Sequence, residues 1–309
     1  MCQMRRAFCA AFLFAVLSLS FGYAAEPIPE IGPTGPVETI QEGFAFTEGP
    51  AWDGKGNLYF SDIPNARIHR LDPQGKVSTF TDKSGHSNGL MFNAAGELVA
   101  CEMDGQVVAW NVDTGARRVL ADKYNGARFN APNDLVIDQQ GGIYFTDPHY
   151  RAPEPLPQGM RSVYYIAPDG TVTRVVEELP APNGILLSLD EKTLYVLPSE
   201  DTQMRAYAVQ SPGKLGPERI FCRVKQAKPD GNGGSDGATL DELGNLYLTT
   251  ALGVQVVSPD GELLGIIEVP QHPANVTFGG QDMKTLYVTA RTGLYAIPME
   301  VTGHRYGAE

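Results

Sequence analysis

The sequence has few of the residues that build disulfide frameworks or zinc sites. Its 309 residues include 4 cysteines and 5 histidines, and the histidines show no H-E-x-x-H spacing. Two of the cysteines lie in the first 24 residues, which leaves Cys101 and Cys222 far apart in different repeats. We therefore expect two buried free thiols. We interpret four of the histidines as loop or rim residues rather than metal ligands: His86, His149, His272 and His304.

Basic residues are scarce as well. The chain has 24 lysines and arginines against 36 acidic residues, which gives a formal net charge of −12. An acidic chain without a basic patch is a poor partner for nucleic acid or an anionic membrane surface. The low charged fraction (19%), the 34 glycines and the scarcity of long helical patterns favour a single all-β domain.

The long apolar run of the chain lies at its N-terminus and predicts a leader. Arg5 and Arg6 precede an apolar run over residues 7–21, and small residues follow. This layout is typical of a secretory signal peptide and is too short for a membrane span. Cleavage after Ala24 puts Gly22 and Ala24 at the small-residue positions; the alternative is a retained membrane anchor. We predict a signal peptide over residues 1–24 and an exported, periplasmic or secreted monomer with a net charge of −14.

A polar residue followed by two strand-like runs recurs six times. In one example, NDLVIDQQGGIYFTD from Asn133, an apolar run and a β-branched and aromatic run flank a Gly-Gly turn, as in a β-hairpin. Repeats of this length with two further strands each predict an all-β, six-bladed β-propeller. The starting residues lie 39 to 53 residues apart: Glu48, Asn88, Asn133, Asn183, Asp236 and Asn275.

The last repeat is one strand short. It ends after three strands near Pro298, whereas Val37–Ile40 precedes the first repeat and has no partner of its own. We predict that Val37–Ile40 supplies the outer strand of the sixth blade, which closes the ring and removes an exposed sheet edge. Residues 25–36, rich in proline and glycine, are expected to form a flexible arm before a propeller domain that spans residues 37–309.

The six starting residues are all carboxylates or carboxamides. Because the first strand of each propeller blade lines the central channel, these side chains should converge there. Oxygen donors without thiolates suit hard cations, which favours calcium or magnesium over zinc. The alternative is that Asn and Asp occupy these positions only because they favour turns and strand entries.

Five short motifs resemble those of the senescence marker protein, gluconolactonase and luciferin-regenerating enzyme family of six-bladed propellers. The resemblance covers the chain from Val37 to Pro298 and implies a metal-dependent lactonase that hydrolyses sugar-acid lactones such as a gluconolactone. The motifs occur in family order: TEGPAW (Thr47–Trp52), RFNAPND (Arg128–Asp134), YFTDP (Tyr144–Pro148), PNG (Pro182–Gly184) and SDG (Ser235–Gly237).

The resemblance also implies roles for individual residues. Glu48, Asn183 and Asp236 would be the protein ligands of one divalent ion at the channel mouth. Asn133 would face the ion or the substrate, and Arg128 would contact the substrate. In some family members the arginine lies two residues before the asparagine. Relative to them, Ala131-Pro132-Asn133 resembles an insertion, which would displace Arg128 from the substrate. Calcium is the expected ion, with magnesium, manganese and zinc as alternatives.

Asp236 is the predicted catalytic residue. Asn133 and Asn183 have no useful basicity, and the resemblance gives Glu48 a ligand role only. Asp236 is therefore the carboxylate able both to contact the ion and to take a proton from water or attack directly.

Three further features lie near the predicted site. His86, just before a starting residue, and His149, after a channel-facing strand, are expected at the rim as substrate contacts. Arg151–Arg161 is either a lid or an ordinary surface loop. Gly233–Gly237 matches G-x-S-x-G, but it lies between a glycine-rich loop and a strand, whereas a serine nucleophile needs a strand-to-helix turn.

Two other functions fit the same features. An organophosphate, phosphotriester or aryl-ester hydrolase can use the same metal ring, and a non-enzymatic ligand-binding propeller would keep the ring as structure. The presence of two carboxylates beside the amides argues against a purely structural role. The residues alone do not separate a lactone from a phosphotriester.

Overall fold

The computed structural model describes residues 26–228, 231 and 233–306. In this part of the chain, 24 of the strands form six four-stranded antiparallel sheets, the blades of a β-propeller. The predicted fold and its number of blades are confirmed. The predicted signal peptide lies outside the described residues. No helix among the described residues is long and apolar enough to cross a membrane.

The strands follow one another along the chain from the channel outward in each blade. Strand β1 (Glu38–Glu42) precedes the first blade. Blade 1 contains β2 (Thr47–Trp52), β3 (Leu58–Asp62), β4 (Arg67–Leu71) and β5 (Val77–Thr81), with a 3-10 turn at Ile63–Asn65. Blade 2 contains β6 (Ser87–Phe92), β7 (Glu97–Glu102), β8 (Gln106–Asn111) and β9 (Arg117–Ala121). A small hairpin of β10 (Lys123–Tyr124) and β11 (Ala127–Arg128) follows.

The second half of the ring has the same order. Blade 3 contains β12 (Leu135–Ile137), β13 (Ile143–Asp147), β14 (Ser162–Ile166) and β15 (Val172–Val176). Blade 4 contains β16 (Pro182–Leu187), β17 (Thr193–Pro198), β18 (Gln203–Ser211) and β19 (Lys214–Arg223). Blade 5 contains β20 (Ala238–Leu240), β21 (Leu246–Thr250), β22 (Gly253–Val257) and β23 (Leu263–Ile267). Blade 6 contains β24 (Pro273–Gly279), β25 (Thr285–Ala290) and β26 (Gly293–Pro298).

Strand β1 completes the sixth blade. It pairs antiparallel with β26, with Glu38 opposite Ala296 and Glu42 opposite Gly293. The prediction that the segment before the first repeat closes the ring is confirmed, although the strand runs from Glu38 to Glu42. The pairing occupies the outer edge of β26, which would otherwise be open to another chain.

Residues 26–36 do not form the flexible arm that their composition suggested. Ile28 and Ile31 are buried in the hydrophobic cluster between blades 5 and 6. The backbone oxygen of Ile31 accepts a hydrogen bond from the N–H of Glu300 at 3.1 Å, and Thr34 donates to Pro298 at 2.9 Å. Two apolar side chains and these backbone bonds outweigh the proline and glycine content and hold the segment on the propeller.

The hydrophobic core lies between neighbouring blades. In the cluster between blades 5 and 6, the rings of Tyr247 and Phe278 meet edge to face with centroids 5.0 Å apart, and both residues are buried. Cys101 on β7 and Cys222 on β19 are buried free thiols, as predicted. The strands therefore pack as a closed ring of aromatic and aliphatic layers without a disulfide among the described residues.

Glycine follows the polar starting residue in four of the six repeats. A Cβ on Gly89 would lie 2.3 Å from Oδ1 of Asp134, and a Cβ on Gly237 would lie 2.0 Å from Cγ of Asn275. The missing side chains therefore make room for polar side chains of the neighbouring blade. The sequence motif of a polar residue plus glycine is a packing requirement of the channel wall.

Candidate active site

The polar starting residues lie at one end of the channel, which we call the entry end because the inner strands begin there. Each residue lies within the first three positions of its inner strand or up to two positions before it. Five of the six residues are buried, and Asp236 is partly exposed. The fold thus presents a wall of oxygen-bearing side chains whose only partly exposed member is an aspartate.

The three predicted metal ligands are close neighbours. Interactions with the side chains of Asn183 and Glu48 lower the pKa of Asp236 against the larger effect of burial. Burial raises the pKa of Asp236 to about 7. Burial, and then repulsion from Asp236, raise the pKa of Glu48 well above its usual value. Two neighbouring carboxyl groups, of which Glu48 is buried and Asp236 only partly exposed, cannot both ionise easily without a nearby cation.

Asn133 offers an acceptor that the protein does not use. Its backbone N–H donates to the carbonyl of Thr146 at 2.8 Å, and its backbone oxygen accepts from Gly89 at 2.7 Å. The residue is only 2% exposed, yet its side-chain Oδ1 has no hydrogen-bond partner within the described residues. A buried amide oxygen without a donor costs free energy, which a cation or a ligand hydroxyl at this position would recover.

The donor set fits a hard divalent cation. Among the described residues, no three His, Cys, Asp or Glu side chains come together closely enough to hold a metal ion on their own. The predicted set differs because it combines the two carboxylates with the amide oxygen of Asn183, and calcium accepts both types of oxygen. Glu48 and Asp236, if both ionised, would balance the charge of one divalent ion.

A third buried carboxylate, Asp134, was not among the predicted site residues. Its Oδ1 accepts from the N–H of Leu135 at 2.9 Å, and its Oδ2 accepts from Nδ2 of Asn275 at 3.3 Å. Burial raises the pKa of Asp134 to about 7, and the charge of Asp236 adds to this. The Asn275 side chain also bonds to Glu48. One signal was available, since Asp134 stands where four other repeats have glycine.

Tyr150 is a second residue that the sequence argument missed. Its hydroxyl bonds to the side chains of Asn183 and Ser199. Its ring packs on the buried cluster that contains Met103 and Ala131. Burial raises the pKa of Tyr150, so the hydroxyl stays protonated at neutral pH. Tyr150 directly follows His149, and the sequence alone does not show which of these two side chains points inward.

Arg128 binds the backbone of its own loop. Its Nε donates to the oxygen of Phe129 at 2.9 Å, and Nη2 donates to that of Asn130 at 3.1 Å. Gln158, in the segment 151–161, caps the same loop by donating to the oxygen of Arg128 at 3.0 Å. The insertion before the starting asparagine therefore forms a folded loop, and the substrate contact of Arg128 stays a prediction.

The two predicted rim histidines each face a carboxylate. Nδ1 of His86 lies 3.0 Å from Oδ1 of Asp104, and Nε2 of His149 lies 3.6 Å from Oε1 of Glu200. Arg161 pairs with the same Glu200 at 2.8 Å. His149 also lies next to the inward-pointing Tyr150, with ring centroids 4.9 Å apart. Both histidines belong to polar networks beside the repeat starts, and their contact with a substrate is untested.

A cavity of about 170 Å³ opens at the entry end. Asp236 lines it, together with the connection between blades 4 and 5 and with His272 of the connection between blades 5 and 6. A larger cavity of about 350 Å³ lies where the inner strands end, which we call the exit end. Trp52, Phe278 and Tyr306 are among its walls. The smaller cavity is therefore the one that reaches Asp236.

Comparison with known proteins identifies the family. The SMP-30/Gluconolactonase/LRE-like region matches residues 46–292 of this chain. The chain belongs to this family. The matched region runs from just before Glu48 to just after Arg291, so it contains every residue of the entry end described above.

Several members of the family are similar to this chain over most of its length. A gluconolactonase of Zymomonas mobilis subsp. mobilis is 32% identical over 295 residues, covering 87% of this chain and 82% of that protein. Pentonolactonase XacC of Haloferax volcanii is 29% identical over 251 residues, covering 80% and 81%. The structure of a gluconolactonase from Xanthomonas campestris superposes with a TM-score of 0.79 at 31% identity, covering 90% of this chain and 98% of that one. All three names are those of lactonases.

Proposed function

We propose that this protein is a metal-dependent lactonase that hydrolyses sugar-acid lactones at the entry end of its channel. The observation that carries the proposal is the interacting set of Glu48, Asp236 and Asn183, together with the unpartnered oxygen of Asn133. The names of the similar proteins, a gluconolactonase and a pentonolactonase among them, support a lactone of a sugar acid as the substrate.

The proposed cofactor is one divalent ion held by Glu48, Asn183 and Asp236. Calcium is the first choice because carboxylate and amide oxygens are its usual ligands. When bound, such an ion supplies Lewis-acid polarisation of the substrate carbonyl. Asn133 would direct its free oxygen toward the ion or toward a hydroxyl of the substrate.

The proposed reaction uses Asp236 as the proton acceptor. Asp236 takes a proton from water while the water oxygen bonds to the lactone carbonyl carbon. The ring carbon–oxygen bond then breaks, and the proton passes to the departing ring oxygen, so that lactone and water give a hydroxy acid. Tyr150 keeps its proton and fixes Asn183 through its hydroxyl. The buried walls around Glu48 exclude bulk water from the reacting groups.

A substrate panel with and without metal tests the proposal. The purified protein is stripped with a chelator and assayed against glucono-1,5-lactone, a pentonolactone, an aryl acetate and a phosphotriester, with spontaneous hydrolysis subtracted. We expect hydrolysis of the lactones, its loss after chelation, and its return on adding calcium, magnesium, manganese or zinc, with calcium the most effective.

Other outcomes of the panel would replace the proposal. Turnover of the phosphotriester or aryl ester alone would indicate the alternative hydrolases. Lactone hydrolysis that survives complete removal of metal would contradict the cofactor assignment. Lactone binding without turnover, detected by calorimetry, would favour a non-enzymatic ligand-binding propeller.

Export and a monomeric state are part of the proposal. N-terminal sequencing of the protein from its host should find a chain that begins after Ala24. Size-exclusion chromatography with light scattering should give the mass of one chain. A retained N-terminus or a larger mass would contradict the respective statement.

A further inference from the structure

An arginine at the entry end is held in place without an ion pair. Arg291 lies in the turn between β25 and β26, and its backbone oxygen accepts from the N–H of Thr47 at 2.7 Å, one residue before Glu48. Its φ of 46° is in the left-handed region, where Gly, Asn and Asp are the usual residues. The turn thus carries a long cationic side chain at a position where glycine would be less strained.

The guanidinium group of Arg291 rests on two neutral rings. It lies 5.4 Å from the ring centroid of Phe46, and its Nη2 donates to Nδ1 of His272 at 3.2 Å. Burial and the charge of Arg291 lower the pKa of His272, so the imidazole is neutral and accepts this hydrogen bond. Within the described residues, Arg291 makes no ion pair with a carboxylate, so its charge is not neutralised by direct contact.

The charge of Arg291 influences the ionisation of Asp236. Its charge lowers the pKa of Asp236, and no other cation contributes to that shift. His272, which binds the guanidinium, lines the 170 Å³ cavity together with Asp236. A part of the substrate that extends from the reacting centre into this cavity therefore lies beside His272, the ring that binds Arg291.

Two neighbouring arginines at this end are paired with carboxylates, and Lys225 is a further cation that lines the cavity. Arg161 pairs with Glu200 at 2.8 Å, and Arg205 pairs with Asp201. The chain as a whole carries a net charge of −12, which repels an anionic ligand unless a fixed cation offsets the field locally. The uncompensated guanidinium of Arg291 provides such a cation.

We propose that Arg291, supported by His272 and Phe46, binds an anionic group of the substrate remote from the lactone carbonyl. The preferred substrates are then lactones that carry a second carboxylate or a phosphate. This inference rests on the proposed lactonase function and adds the charge of the substrate to it. A guanidinium group recognises both anions through paired N–H donors, so the chemistry alone does not choose between them.

Three lactones of one sugar skeleton test the inference. The holoenzyme is assayed with neutral glucono-1,5-lactone, its 6-phosphate, and a glucarolactone with a carboxylate at the same end. We expect kcat/KM for at least one anionic lactone to exceed that of the neutral one. Arg291→Gln should lower kcat/KM for the anionic lactone by about 10-fold to 100-fold, the range for one charge-assisted contact, mainly through KM. For the neutral lactone, KM should change by less than about twofold, and any change in kcat should follow the pKa of Asp236, which Arg291 lowers.

Matched variants separate recognition from structure. Arg291→Lys keeps the charge and should recover part of the loss, whereas His272→Gln should give a smaller loss of the same selectivity. Arg305→Gln removes the same charge at the exit end and should change neither substrate. Thermal unfolding of every variant checks the fold.

Each of the following outcomes would contradict the inference. If Arg291→Gln slows the hydrolysis of neutral and anionic lactones equally, Arg291 does not recognise the charge of the substrate. The proposed lactonase function is not contradicted by that result. If the parent protein prefers the neutral lactone and Arg291→Gln changes no KM, the inference is wrong. If no lactone is hydrolysed, the proposed function fails and the inference fails with it.

Discussion

The two ends of the channel differ in size and in chemistry. The entry end has the smaller cavity, about 170 Å³, and Asp236, which interacts with Glu48 and Asn183, lines it. The exit end has a cavity of about 350 Å³ whose walls include Trp52, Phe278 and Tyr306. The same six inner strands form both ends, so the difference comes from which residues begin and end each strand.

This contrast shows that cavity volume does not locate the site. The larger cavity has aromatic residues and Asp134 among its walls, whereas the smaller one reaches Asp236, the predicted catalytic residue. A buried acid whose charge no partner offsets lowers the stability of the fold. Such acids are therefore concentrated where a ligand or a cation can offset the charge. Asp134 lines the exit cavity and also acts on Glu48, so it lies between the two ends.

The largest expected effect is on the entry end, at Asp236. We expect Asp236→Asn to keep the fold and to lower lactone hydrolysis by about 10²-fold or more, the scale for loss of a general base. Rate and metal content are measured together, because loss of the ion would imitate loss of the base. Asn88→Ala, in the same ring of starting residues, is the control and should do much less. A variant that keeps its metal and nearly the parent rate would place the base elsewhere.

The second prediction concerns the packing that shapes the entry end. In Gly237→Ala, the new Cβ would lie 2.0 Å from Cγ of Asn275, so that side chain must move away from Glu48 and Asp134. We expect a loss of about 1 to 3 kcal/mol in the free energy of unfolding. Lactone hydrolysis should fall by about 10-fold to 100-fold, as for misplaced catalytic groups.

A glycine in an outer strand provides the control for that substitution. A Cβ on Gly216 would meet Ala208 at 3.5 Å, an ordinary contact. Gly216→Ala should therefore change the free energy of unfolding by less than about 0.5 kcal/mol. Equal effects of the two substitutions, measured by denaturant unfolding and kinetics, would show that the glycine at the channel wall has no special packing role.

The fold was predictable because its pattern repeats. Six hairpins with a polar first residue fix the number of blades, and the missing strand of the last repeat explains the pairing of Glu38–Glu42. The behaviour of residues 26–36 was not predictable from composition, because Ile28 and Ile31 decide it by packing on blades that are distant in sequence. Local proline and glycine content reports turns, whereas burial depends on the whole ring.

The site was only partly predictable for a related reason. The starting residues follow from register, so Glu48 and Asp236 could be assigned to one end of the channel. Tyr150 and Arg291 lie in the connections between the second and third strands of blades 3 and 6. The direction of a loop side chain depends on what packs beneath it. Asp134 lay one position from a predicted residue, and its importance became visible only through the room left by Gly89.

The third prediction tests the entry end at Tyr150, which is not one of the six starting residues. Tyr150→Phe removes the hydroxyl that bonds to Asn183 and Ser199 but leaves the ring in its apolar contacts. Loss of one hydrogen bond suggests a fall in kcat/KM of about 3-fold to 10-fold. Tyr287→Phe, whose ring stacks on Trp52 with centroids 6.0 Å apart, is the control toward the exit end and should leave the rate unchanged. An equal rate for parent and Tyr150→Phe would remove the hydroxyl from the site.

The smallest expected effect on activity is at the exit end itself. Tyr306 packs against the hydrophobic clusters between blades 3 and 4 and between blades 4 and 5, and its ring centroid lies 4.7 Å from that of His304. Tyr306→Ala should lower the free energy of unfolding by about 1 to 3 kcal/mol, less than for a fully buried aromatic ring. Well below the unfolding temperature, kcat/KM should stay within about twofold of the parent, since no reacting group contacts this ring. The charge of Asp134 acts on both Tyr306 and Glu48, so a change at the exit end could reach the site through this residue. A large loss of rate in folded Tyr306→Ala would therefore show that the two ends are coupled through Asp134.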